Sequence, residues 1–596
     1  MKKRFLPINK DELHGSKEVD VVLITGDAYV DHPSFGAAVI GRVLENAGFS
    51  VGVIAMPDWR NPESITVFGR PRLFFAVTSG NVDSMVARYT AFKKVRSDDP
   101  YAPGGRAGHR PERAVIVYSN LIRKVYKDTP IVIGGIEASM RRAAHYDFWS
   151  NKVRRSIIED SRAAVLIYGM GEFQVQEIAR RIASGEPPSG IPGTVIMNKE
   201  APADAELLPP EEEVIASKET FAEFYRRFYR GQQRVLAQPA GKRLLVHYPY
   251  YEEISAADLD RIYELPYMRE PHPVYKEKIP AFEMICNSVT AHRGCTAGCS
   301  FCSLTLHQGK RIISRSPASV LREVEIISGK KYFKGQITDI GGPSANMYGF
   351  RCKKEWRCNR ESCLFPSLCP RLEMDSGPWL ALLKEAAALK NIKKVTVGSG
   401  IRYDLLMQAA GSGQPMGGVS KGKKAYRSTK VLGVRNPFSK GFWPPEARNS
   451  INPQQKRVLK TLLVSHISGQ LKIAPEHTDP VVLRAMRKVP LFDLSEFVKL
   501  FFQLQGRGEK KQYLLPYLMS CFPGSSPARV RKMKKEIQRL FGFVPQQVQA
   551  FLPLPMTLAA AIYYTGVDPL TGEKFPVERS MEKRRKEHNV LVGAER

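Results

Sequence analysis

Arg293-Gly294-Cys295-Thr296-Ala297-Gly298-Cys299-Ser300-Phe301-Cys302 places three cysteines within eight residues. The spacing C-x3-C-x2-C is one thiolate short of a closed iron–sulfur site, because a fully protein-bound 4Fe–4S cube takes four. Three thiolates leave one iron open to a small molecule. The competing reading is zinc, which prefers four ligands, often as paired C-x2-C hooks.

Downstream and upstream of this run the chain alternates strand and helix patterns. Strands are expected at 284–289, 335–340, 394–398, 470–474, 513–519 and 548–552, with helices at 318–327, 377–389, 481–487, 494–505 and 528–540. Right-handed β/α units of this kind curl into a barrel or partial barrel, and the cysteine run follows the first strand, at the end where barrel chemistry is assembled. The first stretch reads as a doubly wound α/β domain. Val21-Val-Leu-Ile-Thr25, Val51-Gly-Val-Ile-Ala55, Leu73-Phe-Phe-Ala-Val-Thr78 and Ala163-Ala-Val-Leu-Ile-Tyr-Gly169 are apolar runs typical of strands buried on both faces. Ile131-Val-Ile-Gly134-Gly135 runs into a helix through a glycine turn, read as a turn needing positive φ rather than as an anion cradle. The expected division is 1–200 for this domain, 201–280 for a linker with helical connections, 281–560 for the barrel and 561–596 for a tail.

A chain of 596 residues exceeds one ordinary core, and 43% hydrophobic with 25% charged residues is a globular composition. No apolar run reaches the ~18 residues of a membrane span, and the start Met1-Lys-Lys-Arg-Phe-Leu-Pro7 lacks a signal-peptide core. Seven of the nine cysteines fall in two tight groups, which suits metal ligation in a reducing cytoplasm. Cys286 and Cys521 are read as small core residues. The second group is Cys352, Cys358, Cys363 and Cys369, spaced C-x5-C-x4-C-x5-C, and it suits an auxiliary 4Fe–4S cluster, zinc or redox pairs. Lys353, Lys354, Arg357, Arg360 and Arg371 around it would offset thiolate charge. The net charge of +31 suits a polyanionic partner, RNA or DNA, and equally a solvated basic surface or a basic proteome. Part of the excess lies between Gln408 and Gln454, where eight Lys/Arg meet the single acid Glu446 in a Gly/Ser/Pro-rich stretch, an expected basic insertion.

The cysteine spacing, with Arg293-Gly294 before it and Phe301 inside it, resembles the radical S-adenosylmethionine (SAM) superfamily. That resemblance implies a 4Fe–4S cluster on Cys295, Cys299 and Cys302, with SAM chelated at the open iron. It implies one-electron cleavage of SAM to methionine and a 5′-deoxyadenosyl radical, with the electron from a flavodoxin or ferredoxin. Asp339-Ile-Gly341-Gly342-Pro343 stands where the superfamily's Gly-Gly-Glu binds the methionyl amine, here with proline in place of glutamate. Ser399, Arg402, Lys472 and Glu476, at the ends of later strands, are candidate SAM contacts, and His477 a candidate acid or base. Some radical enzymes bind cobalamin on a similar N-terminal sheet through D-x-H-x-x-G. Here Asp31 and His32 are adjacent and Gly36 follows His32 by four, so cobalamin is not expected.

The resemblance extends to the YgiQ-type radical SAM proteins. It is carried by Thr78-Ser-Gly-Asn-Val-Asp-Ser84, Tyr101-Ala-Pro-Gly-Gly105, Arg110 to Arg123, Gly134-Gly-Ile-Glu-Ala-Ser-Met-Arg-Arg142, Leu471 to His477, Gln549 to Pro555 and Tyr563 to Pro569. The implied fold is a Rossmann-like, cobalamin-domain-like sheet followed by a partial (β/α)6 TIM-type barrel. The basic insertion and a shortened C-terminal part are read as departures from the family. The barrel also resembles that of methylthiotransferases, but no cysteine precedes Cys286, so their N-terminal cluster does not carry over. The leading expectation is a cytoplasmic enzyme that modifies RNA, slightly ahead of protein. The rivals are a non-catalytic iron–sulfur or zinc nucleic-acid-binding protein and a radical enzyme acting on a small metabolite.

Overall fold

The computed structural model describes residues 4–593 apart from 14–17, 252–253, 354–357, 359, 410–450, 489, 491, 506–510 and 546–547. The expected basic insertion at 408–454 therefore lies, but for its ends, outside the described residues.

The apolar runs of the first domain form a nine-stranded sheet. Its parallel part has the order Val51–Ala55, Val21–Thr25, Phe74–Thr78, Ile131–Ile133, Val165–Ile167. Strand alternation explains why these runs are apolar throughout: Val21, Leu23, Phe74 and Ala76 enter one core, and Val22, Ile24, Phe75 and Val77 the core on the opposite face. Helices Gly36–Asn46 and Glu172–Ala183 cover the first face and Ala114–Val125 the second. The chain reverses its strand order between Val21–Thr25 and Phe74–Thr78, and the crevice beyond the carboxyl ends at such a point is where open α/β sheets bind ligands.

The sheet does not stop at residue 200. Thr194–Asn198 pairs antiparallel with Arg243–His247, which pairs with Leu236–Ala240, and Glu206–Leu207 closes the edge. The segment expected as a linker thus supplies three strands and, in Lys218–Gly231, an amphipathic helix that buries Phe221, Phe224, Tyr225 and Phe228. Two carboxyl groups, Glu159 and Glu211, lie close enough for the charge of one to act on the other. Burial and then the Glu159 charge push Glu211 up to about 8. The folded chain therefore holds a proton that the unfolded chain loses above its ordinary value, and stability falls as pH rises from about 4.5 to 8. Glu211→Gln should match the parent's melting temperature at pH 5 and exceed it by several degrees at pH 8. Equal melting temperatures at both pH values would refute a proton held at Glu211.

In the second half, parallel pairs join successive strands: Ser288–Thr290 to Asp339–Gly341, Gln336–Ile337 to Lys394–Val395, and Gln470–Glu476 to Tyr513–Ser520 and then Val548–Ala550. A parallel bridge from Ile401 to Ile473 links the third to the fourth. Helices Pro317–Ser328, Gly377–Ala388, Pro453–Thr461, Leu494–Leu504 and Pro527–Phe541 pack against one core with Val289, Ile340, Val395, Ile473 and Leu518. The first strand is shorter than expected. Pro280, with its fixed φ, opens a helix over Pro280–Ile285, and Cys286 caps it, so pairing starts at Ser288. The boundary at 560 falls inside the buried helix Leu558–Thr565. Nor is 561–596 a loose tail: helix Met581–Val592 lies against Pro527–Phe541, and Glu587 accepts the Cys521 N–H and the Ser525 hydroxyl, both at 2.7 Å. Cys286 and Cys521 are both buried. No helix among the described residues is long and apolar enough to cross a membrane.

Candidate iron–sulfur site

The cysteine loop leaves the first barrel strand through His292–Arg293 and ends at helix Leu304–Gln308. Two glycines set its path. Gly294 has φ +87°, and a Cβ there would stand 1.8 Å from the Arg311 carbonyl oxygen; Gly298 has φ +60°, with the Glu361 carbonyl 2.7 Å away. These are close backbone approaches that only glycine permits. The Cys295 N–H donates to Gly309 O at 3.1 Å, and the Ser300 N–H and hydroxyl donate to Met486 O at 3.0 Å and Ala485 O at 2.7 Å. Arg293 latches the loop to the first domain. Its buried guanidinium donates to Glu172 at 2.6 Å and to the Tyr263 hydroxyl at 3.2 Å.

The three thiols converge. Burial first, then the Cys299 charge, pushes Cys295 up to about 11, while Arg402 and Lys488 pull the other way. Cys302 is raised further, by burial and then by Cys295 and Cys299, with Glu476 adding to it. Buried thiols that repel one another as thiolates need a cation or metal to ionise together. Among the described residues no three His, Cys, Asp or Glu side chains gather tightly enough to share a single ion. Three interacting thiols in a C-x3-C-x2-C loop fit a cube, which takes one thiolate on each of three irons and leaves the fourth open.

Lys488, 6% exposed, lies 3.4 Å from Glu476 and within electrostatic reach of Cys295. Nothing in the spacing of the chain singles it out. Arg402 Nε donates to Asp404 at 2.7 Å, and its charge reaches Cys299 and Cys295. Glu476 adopts φ +66° at a register shift in its strand, which turns its carboxylate out of the ladder toward Lys488. Arg402 and Glu476 are thus brought to the thiols. Ser399 is not free for ligand in the way expected: its N–H and hydroxyl donate to Asp339 at 3.2 and 3.0 Å. Lys472 sits within electrostatic reach of the same carboxylate. His477 is corrected to a turn cap. Its Nδ1 accepts the Asp479 N–H at 2.9 Å, burial lowers it to about 4, and it lines neither of the two cavities beside the cysteine loop.

The larger of these, a chamber of about 590 Å³, opens between the carboxyl ends of the N-terminal sheet and the barrel. Thr78, Asn81 and Gly135 line it from the sheet, and Arg293, Gly341 and Gly342 from the barrel. Gly342 has no room for a side chain, since a Cβ would meet the His292 ring at 2.6 Å. Gly135 has φ +85°, the positive value expected of this turn, and begins the helix Gly135–Met140. The second cysteine group packs on the loop: the Cys363 N–H donates to Thr296 O at 3.0 Å and the Ser362 hydroxyl to Ala297 O at 2.6 Å. Burial, then Cys369, raises Cys363 to about 12, with Cys358 and Cys352 contributing.

Residues 5–288 match the family model described as radical SAM N-terminal, and 546–592 match a domain of unknown function, DUF3362. A doubly wound sheet joined to a parallel β/α run whose first strand delivers an open three-thiolate loop defines a radical SAM enzyme. A UPF0313 protein of Clostridium botulinum is 41% identical over 98% of this chain and 86% of its own length. Relatives of that name from Geobacter sulfurreducens and Thermotoga neapolitana are each 42% identical, over 99% and 98% of this chain and 92% and 98% of theirs. The chain belongs to the UPF0313 family, the YgiQ-type radical SAM proteins. Among solved structures, the radical SAM methyltransferase TsrM from Kitasatospora setae is similar over 90% of this chain and 75% of its own, at TM-score 0.48 and 16% identity. The cobalamin-dependent radical enzyme OxsB is similar over 88% and 52%, at TM-score 0.48 and 9% identity.

Proposed function

We propose that this enzyme cleaves SAM reductively at Cys295, Cys299 and Cys302 and uses the product to modify RNA, in the cytoplasm, with a flavodoxin or ferredoxin as electron donor. The chemistry a bound cluster supplies is one-electron cleavage of the sulfonium. The chain's own residues hold and orient. Gly341 and Gly342 offer backbone at the chamber wall, Arg402 and Lys488 offset thiolate charge, and the sheet domain forms the opposite wall. Cys352, Cys358, Cys363 and Cys369 hold an auxiliary cluster in this reading, favoured over zinc because an enzyme of this class is already matured with iron and sulfide. Cobalamin has no part in it. Asp31 is spent on a buried ion pair with Arg42, and His32 is buried, with Nδ1 accepting the Ser34 N–H at 3.1 Å.

The observation that favours RNA is a cationic surface on two helices packed together. Arg531, Lys532, Lys535 and Arg539 of Pro527–Phe541, with Lys583 and Arg585 of Met581–Val592, are all exposed. Such a strip neutralises phosphates and releases counterions. The reconstituted enzyme should bind single-stranded RNA with a log–log salt slope of about −2 or steeper, as three or more phosphate contacts require. Reversing Lys532, Lys535 and Arg539 to glutamate should weaken binding at least about tenfold. A flat salt dependence would move the reading to a protein or small-molecule substrate.

A further inference from the structure

Arg141 and Arg142 are adjacent buried arginines with different fates. Arg141 pairs with Asp83. Arg142, 3% exposed, has no carboxylate partner among the described residues. One guanidinium N–H donates to Ser139 O at 2.6 Å, and the Tyr168 and Phe228 rings flank the guanidinium carbon at 4.6 and 5.1 Å. Ring faces stabilise the cation in part, and Ser139 O is the acceptor it meets among the described residues. A buried, uncompensated charge is costly and calls for a counter-ion.

Arg142 lines a second cavity, of about 110 Å³, distinct from the chamber. Beside it stands His247, whose two ring nitrogens are both buried without a hydrogen-bond partner. The cavity wall includes Cys299 and Cys302 on one side and Cys358 and Arg360 on the other. Lys310 ties that outer wall down, donating to Cys358 O at 2.6 Å and to Arg360 O. Of the cations on its wall, Arg234 is paired with Glu206, and Lys310 and Arg360 are spent on backbone carbonyls, which leaves Arg142 and Arg230 without a carboxylate partner among the described residues. Two such cations suit a doubly charged oxyanion, and Tyr229 and Tyr250 add an aromatic surface for the group attached to it.

We propose that this cavity binds a phosphate group, held by Arg142 and His247, and so seats a phosphorylated substrate against the outer side of the cysteine loop. The cavity holds a phosphate and few further atoms, so the rest of the ligand leaves through the basic rim. The site rests on the RNA reading only for the source of the phosphate.

The test is calorimetric binding of 5′-AMP, adenosine and inorganic phosphate to the cluster-loaded full chain. AMP and phosphate should bind, adenosine at least about tenfold more weakly than AMP, and Arg142→Met should weaken AMP by about 10- to 100-fold. The same variant should melt no lower than the parent, because an unpaired buried charge has been removed. Equal binding of AMP and adenosine, or unchanged AMP affinity in Arg142→Met, overturns the site. If Arg142→Met fails to fold, His247→Gln decides: weakened AMP binding supports the site, and unchanged binding overturns it. A short RNA competing with AMP at concentrations at least tenfold below AMP itself assigns the phosphate to RNA; weaker competition assigns it to a small phosphate ester. Loss of the site would leave SAM cleavage intact, whereas failure of SAM cleavage would sink the enzyme reading without touching AMP binding.

Discussion

Replacing Cys299 by alanine abolishes 5′-deoxyadenosine formation when the reconstituted enzyme is given SAM and a one-electron reductant. Two thiolates, Cys295 and Cys302, then remain for a group that needs three from this loop. The loss should come from ligation and not from unfolding. Cys299 is partly exposed, and its carbonyl, which accepts the Cys302 N–H at 3.1 Å, is kept by alanine. Circular dichroism and melting temperature should match the parent, while iron and sulfide per chain at this site fall away. If the second cysteine group carries its own cluster, part of the iron persists with no cleavage, and adding Cys363→Ala to Cys299→Ala removes that remainder. Cleavage retained by Cys299→Ala would overturn the assignment of the site.

Gly294→Ala should be nearly as severe although it removes no ligand. The added carbon would lie 1.8 Å from the Arg311 carbonyl at a φ of +87°, so the loop must move or the backbone must refold. Positive φ alone costs an alanine about 1–3 kcal/mol. The clash adds a displacement at the residue next to Cys295, and a shift of about 1 Å at reacting groups costs about a hundredfold in rate. A control separates the two effects. Gly69 has φ +78° and open space for 4 Å around the point a Cβ would occupy, so Gly69→Ala carries the strain without the clash. The expected result is cleavage reduced at least about a hundredfold in Gly294→Ala and nearly full in Gly69→Ala. Similar activities in both would mean that the close approach to Arg311 does not position the loop.

The metal-binding loop was legible because chelation by neighbours in sequence is a local property. Cys295, Cys299 and Cys302 lie close together along the chain, so their spacing alone states how many thiolates meet. The parallel strands were legible for a related reason: burial on both faces writes an unbroken apolar run, as at Val21–Thr25. The hairpin that completes the sheet was not. Leu236–Ala240 carries Pro239 inside a five-residue strand, and proline reads as a break where one donor is dispensable. The helix at 528–540 was legible from its periodicity, but the basic helix Met581–Val592 was read as part of a tail, and the packing of the two into one surface was not legible.

What the sequence determined by itself is therefore the chemistry that neighbours can express: three thiolates with an open position, glycines where the chain must turn left-handed, and strands that alternate between two cores. Only the tertiary structure decided which distant charges meet them. Lys488 comes from beyond a later strand, Glu172 from the opposite domain to hold Arg293, and Arg142 from a motif whose other arginine is paired with Asp83. An ion pair or an unpaired charge depends on separation in space, and no periodicity along the chain encodes that separation once the residues lie on different elements.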